Sequence, residues 1–144
     1  DNVTDNTAYS WIDKGNALAE QGSYEEAIKA LDNATNLNPQ DKHIWMSKGL
    51  ILAAHLGRYN ESIEAYERAI QIDPRDADAW FGKGAALNKT GRYEEAIKSL
   101  DKAIELNPKF IAAWKVKGDA LRALGRNTEA DAAYAKAREL GYQE

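Results

Sequence analysis

The stretch that decides the fold begins at Trp80 and ends at Pro108: WFGKGAALNKTGRYEEAIKSLDKAIELNP. A glycine stands four residues after the tryptophan, a leucine seven residues after it and a second glycine eleven residues after it. Offsets of 0, 4 and 7 share one side of an α-helix. The stretch therefore predicts a first helix from about Trp80, a left-handed turn at Gly91 and a second helix that stops before Pro108.

The same markers recur along the whole chain. The four tryptophans at positions 11, 45, 80 and 114 are spaced 34, 35 and 34 residues apart. Each is followed at the same offsets by a glycine and a leucine. A second glycine follows eleven residues after the tryptophan, or twelve in the second repeat. These residues are Gly15, Gly49, Gly84 and Gly118; Leu18, Leu52, Leu87 and Leu121; Gly22, Gly57, Gly91 and Gly125. The chain is therefore an internal repeat of helix pairs.

Composition excludes several classes of protein. The 144 residues hold 19 Lys and Arg against 23 Asp and Glu, a formal charge of -4 that argues against nucleic-acid binding. Cysteine is absent, which removes disulfides, Cys-ligated zinc and thiol chemistry. No apolar run approaches the ~20 residues that a membrane-spanning helix needs, so membrane insertion is not expected.

The second helix of each repeat has an acidic first turn and an apolar stripe. In the first repeat the stripe contains Ala27, Leu31 and Ala34. The second repeat carries one extra residue near Leu56, which lengthens either its first helix or its turn. The fourth repeat departs from the others, with Asn127 in place of Tyr and Tyr142 in place of Pro.

This pattern resembles the tetratricopeptide repeat (TPR), a helix–turn–helix unit of 34 residues. The resemblance implies an all-α fold, a right-handed α-solenoid of four units and eight helices. It covers residues 8–144 as one domain, with repeats at 8–41, 42–76, 77–110 and 111–144. Residues 1–7 are polar and are expected to be a linker.

The resemblance also implies a concave groove lined by the first helices. Its positions fall two residues before the repeat tryptophan and one, five, eight and nine residues after it. The candidate partner-binding residues are Tyr9, Ile12, Asn16, His43, Met46, Leu50, Phe81, Asn88, Lys89, Lys115, Asp119 and Arg122.

Four of these candidates form an apolar strip: Ile12, Met46, Leu50 and Phe81. Exposed apolar patches on soluble proteins usually mark a partner site, so a peptide or an amphipathic helix of another protein is the expected ligand. Lys89, Lys115 and Arg122 would form its charged rim. The alternative is that several strip residues pack against the adjacent repeat instead.

The function expected from the resemblance is a non-catalytic protein-interaction scaffold. His43 and His55 lie twelve residues apart on one predicted helix, roughly 18 Å, which is too far to share a metal ion. No catalytic motif, cofactor motif or metal-ligand cluster is present. The carboxylate clamp with which some family members bind chaperone tails is not matched either, since only Asn16 agrees and Asp78 would repel a carboxylate.

An alternative function is self-association through the fourth repeat, which no polar capping helix follows. Small residues such as Ala133 and Ala137 are expected to be exposed there. The regularly spaced Lys14, Lys48, Lys83 and Lys117 suggest a solvated edge.

Localisation has two readings. Cytoplasm is the default, but Asn-x-Ser/Thr sequons at Asn2, Asn33, Asn60 and Asn88 raise the alternative of an extracytoplasmic glycoprotein.

Overall fold

The computed structural model describes residues 7–143 and divides the chain into two compact units. The first unit ends at Pro74 and the second begins at Arg75. The first holds α1 (Ala8–Glu20), α2 (Tyr24–Leu37), α3 (Lys42–Ala54) and α4 (Tyr59–Ile72). The second holds α5 (Ala77–Lys89), α6 (Tyr93–Leu106), α7 (Ile111–Ala123) and α8 (Asn127–Glu139). Residues 7–143 contain no strand, and none of their helices is long and apolar enough to cross a membrane.

Each repeat folds as an antiparallel helix pair around a tight turn. The turn glycine has a positive φ in every repeat, for example +80° at Gly22 and +77° at Gly125. In the first repeat the amide of Ser23 donates to the carbonyl of Leu18 over 2.8 Å, which satisfies a helix-end carbonyl. The extra residue of the second repeat lies in the turn, because α3 is 13 residues long, as are α1, α5 and α7.

The two helices of a repeat touch where the first helix has its glycine. An added Cβ at Gly49 would lie 2.8 Å from the ring of Tyr66, and one at Gly118 would lie 2.7 Å from the ring of Tyr134. Leu31 and Leu100 occupy the same place in the first and third repeats. The absence of a side chain therefore sets the distance between paired helices.

Side-chain caps fix the starts of three first helices. Thr7 accepts from the amide of Ser10, Asp41 from that of His43, and Asp76 from those of Asp78 and Ala79. Of the predicted linker, residues 1–6 lie outside the described residues, and Thr7 is the N-cap of α1.

The apolar core of each unit joins one repeat to the next. In the first unit, Ile28 and Leu31 of α2 share a cluster with Ile51 and Leu52 of α3. In the second unit, Ile97 of α6 shares a cluster with residues of α7 and α8. The small or apolar residues one position before and six positions after the tryptophan are buried in the last three repeats: Ile44, Ile51, Ala79, Ala86, Ala113 and Ala120.

Of the regularly spaced lysines, Lys14 is exposed as the sequence suggested, whereas the other three are half-buried. Each ammonium group lies over the tryptophan ring three residues before it, at 5.0–5.7 Å from the ring centre. Lys48 also pairs with Asp32 of the preceding repeat, and Lys117 with Asp101, both over 2.7 Å. Lys48 and Lys117 are therefore contacts between repeats.

The expectation for the last helix was also wrong in one detail. Ala133 and Ala137 are buried, with 3% and 0% exposure, because they face α7 rather than solvent. The exposed alanines of α8 are Ala132 and Ala135.

The contact at Gly118 predicts that replacing this glycine by alanine destabilises the protein, the opposite of the usual effect in a helix. In an exposed helix, Gly→Ala stabilises by about 1 kcal/mol. At Gly118 the new methyl group would overlap the Tyr134 ring, so Gly118→Ala is expected to lower the free energy of unfolding by about 1–3 kcal/mol. Urea denaturation followed by circular dichroism measures this. A variant as stable as the wild type, or more so, would mean that the contact does not set the helix spacing.

Candidate protein-binding surfaces

The candidate positions lie opposite the buried stripe of the first helices. In α3, α5 and α7 the buried residues stand one position before the tryptophan and four, six and seven positions after it. At 100° per residue, the candidate positions fall on the other side of the same helix. Folding therefore uses one side of each first helix and leaves the other side outward.

In the first unit the candidates include two strongly exposed apolar side chains. Tyr9 on α1 is 79% exposed, and Leu50 on α3 is 57% exposed. Met46 is half-buried, and Ile12 packs against the core cluster. Asn16 and His43 are exposed beside them. Exposure therefore varies along the strip, because Ile12 packs against the core whereas Leu50 faces outward.

In the second unit the candidate Phe81 contacts Phe110, the N-cap residue of α7. Its ring lies 4.9 Å from that of Phe110, measured between centres, and its side chain is half-buried. Phe81 is therefore partly engaged in packing at the start of α7. Asn88 is half-buried, with a buried Oδ1 that has no hydrogen-bond partner, and Lys89 is exposed.

The structure brings Lys115 and Asp119 of α7 together with a residue of α8. Lys115 Nζ lies 2.8 Å from Asp119 Oδ2, and the Tyr134 hydroxyl donates to Asp119 Oδ1 over 2.5 Å. The carboxylate is the main cause of a raised Lys115 pKa. Burial, followed by the bond to Asp119, raises the pKa of Tyr134 to about 12. Asp119 is therefore held in place by two donors.

Arg122 lies over the other side of Tyr134. Its guanidinium carbon is 4.7 Å from the ring centre, and its nearest acid, Asp131, is 4.0 Å away. The side chain is 63% exposed. Stacking on the ring orients the guanidinium, which can then meet a carboxylate of a ligand.

Tyr134 and Phe110 were not among the predicted site residues. Tyr134 lies on a second helix, where tyrosine replaces the leucine found in the first and third repeats. That replacement was a readable signal. Phe110 precedes α7 as its N-cap residue, and no periodic marker singled it out.

The histidine and acidic side chains of residues 7–143 do not form a metal site. His55 is the C-cap of α3 and stacks on Tyr24, with ring centres 4.0 Å apart. Among residues 7–143, no three His, Asp or Glu side chains are grouped so as to hold a metal ion.

The sequon hydroxyls have structural partners. Ser62 Oγ is buried and donates to the carbonyl of Gly49 over 2.7 Å. Thr35 and Thr90 donate to the carbonyls of Asp32 and Leu87. Folding thus accounts for the hydroxyl residues of three sequons, while Asn2 lies outside the described residues.

Comparisons with known proteins agree on the fold. A family model described as tetratricopeptide repeat matches residues 12–77, 53–109 and 89–143. A crystal structure of MamA protein is 24% identical with a TM-score of 0.88, covering 96% of this chain and 75% of that one. A second MamA crystal structure is 25% identical with a TM-score of 0.88, covering 94% and 78%.

A third similar structure is MamA, residue 41 to the end, from Desulfovibrio magneticus RS-1. It is 25% identical with a TM-score of 0.87 and covers 94% of this chain and 76% of that one. No match was found among curated protein sequences. The expected all-α repeat fold of eight helices is confirmed.

The Tyr134–Asp119 contact predicts a pH dependence. The raised pKa means that the folded state holds the phenol proton more tightly than the unfolded state, where the pKa is near 10. The contribution to stability is complete below about pH 10 and is lost as the pH rises toward about 12. Asp119→Asn should lower the Tyr134 pKa only part of the way, because burial remains.

Alkaline absorbance titration, with Tyr134→Phe to identify the signal, measures this pKa. An unchanged midpoint in Asp119→Asn would contradict the role of the carboxylate. A midpoint near 10 in the wild type would contradict the buried contact itself.

Proposed function

Because the chain belongs to the tetratricopeptide repeat family, we propose that it is a non-catalytic scaffold that binds a segment of another protein on the outward faces of its first helices. Arrays of repeats present extended surfaces, and such surfaces are what repeat proteins use to bind partners. The bound segment would be an extended peptide or a helix.

One observation carries this proposal. Only three large apolar side chains among residues 7–143 are strongly exposed, namely Tyr9, Leu37 and Leu50. Two of the three, Tyr9 and Leu50, stand at candidate positions of first helices. Water exposure of a side chain such as Leu50 is unfavourable, and its full burial by a ligand contributes about 1.5–3 kcal/mol. A partner that covers these side chains accounts for their placement.

The ligand-facing chemistry differs between the two units. In the first unit, Tyr9, Met46 and Leu50 would contact apolar anchors of the segment. In the second unit, the exposed cations Lys89 and Arg122 would contact its acidic side chains. The first unit therefore favours a segment with apolar residues, and the second unit favours one with acidic residues.

The contacts of two titratable side chains support the non-catalytic part of the proposal. Asp119 is already bonded to Lys115 and Tyr134, and His55 is stacked on Tyr24. Protein binding needs no general base or nucleophile, and it uses the exposed apolar residues that catalysis would leave unexplained.

Self-association through the fourth repeat is the alternative. It would use a different surface, the groove between α7 and α8, where a cavity of about 400 Å³ includes Trp114, Leu121 and Ala132 in its lining. The apolar residues of this groove favour the alternative, whereas the charged residues that also line it, Lys117, Glu129 and Lys136, count against it.

The exposed residues allow a matched test of the proposed function. Tyr9→Glu with Leu50→Glu is expected to abolish capture of partners from the native source, because both side chains are exposed and their charge would face the ligand. Leu37→Glu is the control, since Leu37 is 53% exposed but lies on a second helix. Quantitative mass spectrometry of the captured proteins compares the variants.

Circular dichroism should be unchanged in both variants, because none of these side chains belongs to the core. Partners retained by the double variant, or lost equally with Leu37→Glu, would contradict binding on the first helices.

A further inference from the structure

The groove between α7 and α8 is the counterpart of the surface on which α7 itself packs. In the second unit, α7 lies against α6 with Ala113 and Ala120 fully buried. One repeat further on, Trp114, Leu121, Ala132 and Ala133 line a cavity of about 400 Å³ that no described residue fills. The residues that hold one repeat on the next can therefore be compared with those at this groove.

An isoleucine is the apolar part of each described contact between repeats. Ile97 of α6 is 8% exposed and shares a cluster with Ala120 and Leu121 of α7. Ile28 of α2 is 5% exposed and shares a cluster with Ile51 and Leu52 of α3. Both isoleucines stand seventeen residues after the tryptophan of their repeat.

Two ion pairs complete the contact. The first joins an aspartate of one repeat to a lysine of the next, as in Asp32–Lys48 and Asp101–Lys117. The second joins a glutamate to an arginine of the next repeat, over 2.9 Å in Glu25–Arg58 and 3.8 Å in Glu94–Arg126.

The fourth repeat has lost all three of these groups. Asp131 replaces the isoleucine, Ala135 replaces the aspartate and Thr128 replaces the glutamate. The side chain of Asp131 is 76% exposed, whereas the isoleucine of every earlier repeat is at most 8% exposed. The exchange places a charge where the earlier repeats bury a hydrocarbon.

We infer that the fourth repeat is a stacking stop, a surface that excludes the first repeat of a second copy of this chain. A helix packed here as α7 packs on α6 would bury the Asp131 carboxylate. Its one described ion pair, with Arg122 over 4.0 Å, is long and exposed, so it would offset little of the cost of burying the carboxylate.

The first helix of a second copy offers no compensation. At the places of Ala120 and Leu121, α1 carries Ala17 and Leu18, neither of which can pair with a carboxylate. Its Lys14 would face Ala135 instead of an acid. Ser23 stands where the second and fourth repeats have Arg58 and Arg126, so the other ion pair is also missing. The small and apolar residues of α1 match those of α7, but neither of the two ion pairs could form.

The inference is tested by restoring the contact. In Asp131→Ile with Ala135→Asp, the isoleucine would meet Ala17 and Leu18, and the new aspartate would meet Lys14 of a second copy. Both replaced residues are exposed, so the fold should tolerate them. In sedimentation equilibrium, the weight-average mass of this variant is expected to rise at least twofold with concentration, while that of the wild type stays at one chain.

Ala17→Arg added to the restored variant is the control for the docking face. Ala17 is exposed in α1, whereas its counterpart Ala120 is fully buried, so a large side chain there would prevent stacking and return the mass to one chain. The inference is overturned if the restored variant stays at one chain, or if it associates regardless of Ala17→Arg. Wild-type association that Ala17→Arg removes would overturn it as well.

Discussion

The contact between the first-helix glycine and a large side chain of the second helix underlies the rest of the structure. An added Cβ would lie 2.7–3.1 Å from Leu31, Tyr66, Leu100 or Tyr134 in the four repeats. Real Cβ atoms rarely approach so closely, so only glycine allows this helix spacing. Because one side of the first helix is committed to this contact, the opposite side is left outward, where the proposed function places the ligand.

Under the proposed function, different residues of one helix serve folding and binding. In α3, Gly49 and Leu52 are buried, and Leu50 between them is 57% exposed. In α7, Gly118 and Leu121 are buried, while Arg122 is exposed on the ring of Tyr134. Substitutions on the outward side can therefore change affinity with little change in stability. The same division separates the fourth repeat, whose Asp131 faces solvent, from the earlier repeats, whose isoleucines are buried.

The sequence predicted the helix pairs well because their markers recur at fixed offsets and need no knowledge of neighbours. It predicted less where the outcome depends on contacts between repeats. Phe81 was expected on the apolar strip, but its contact with Phe110 involves a residue outside the periodic pattern. The lysine positions were read as solvated although their place three residues after a tryptophan indicates contact with its ring, and only the acid of the preceding repeat could not be read from spacing. Ala133 was misplaced because both sides of α8 are rich in alanine.

Site-specific photo-crosslinking tests the central claim, that ligands contact the outward side of the first helices, most directly. A photoreactive residue at position 50 of α3 would be compared with one at position 37 of α2, since both sites are exposed and apolar. The account predicts discrete adducts with a partner protein from position 50 and none from position 37. Adducts of equal yield from both positions, or from position 37 alone, would contradict it.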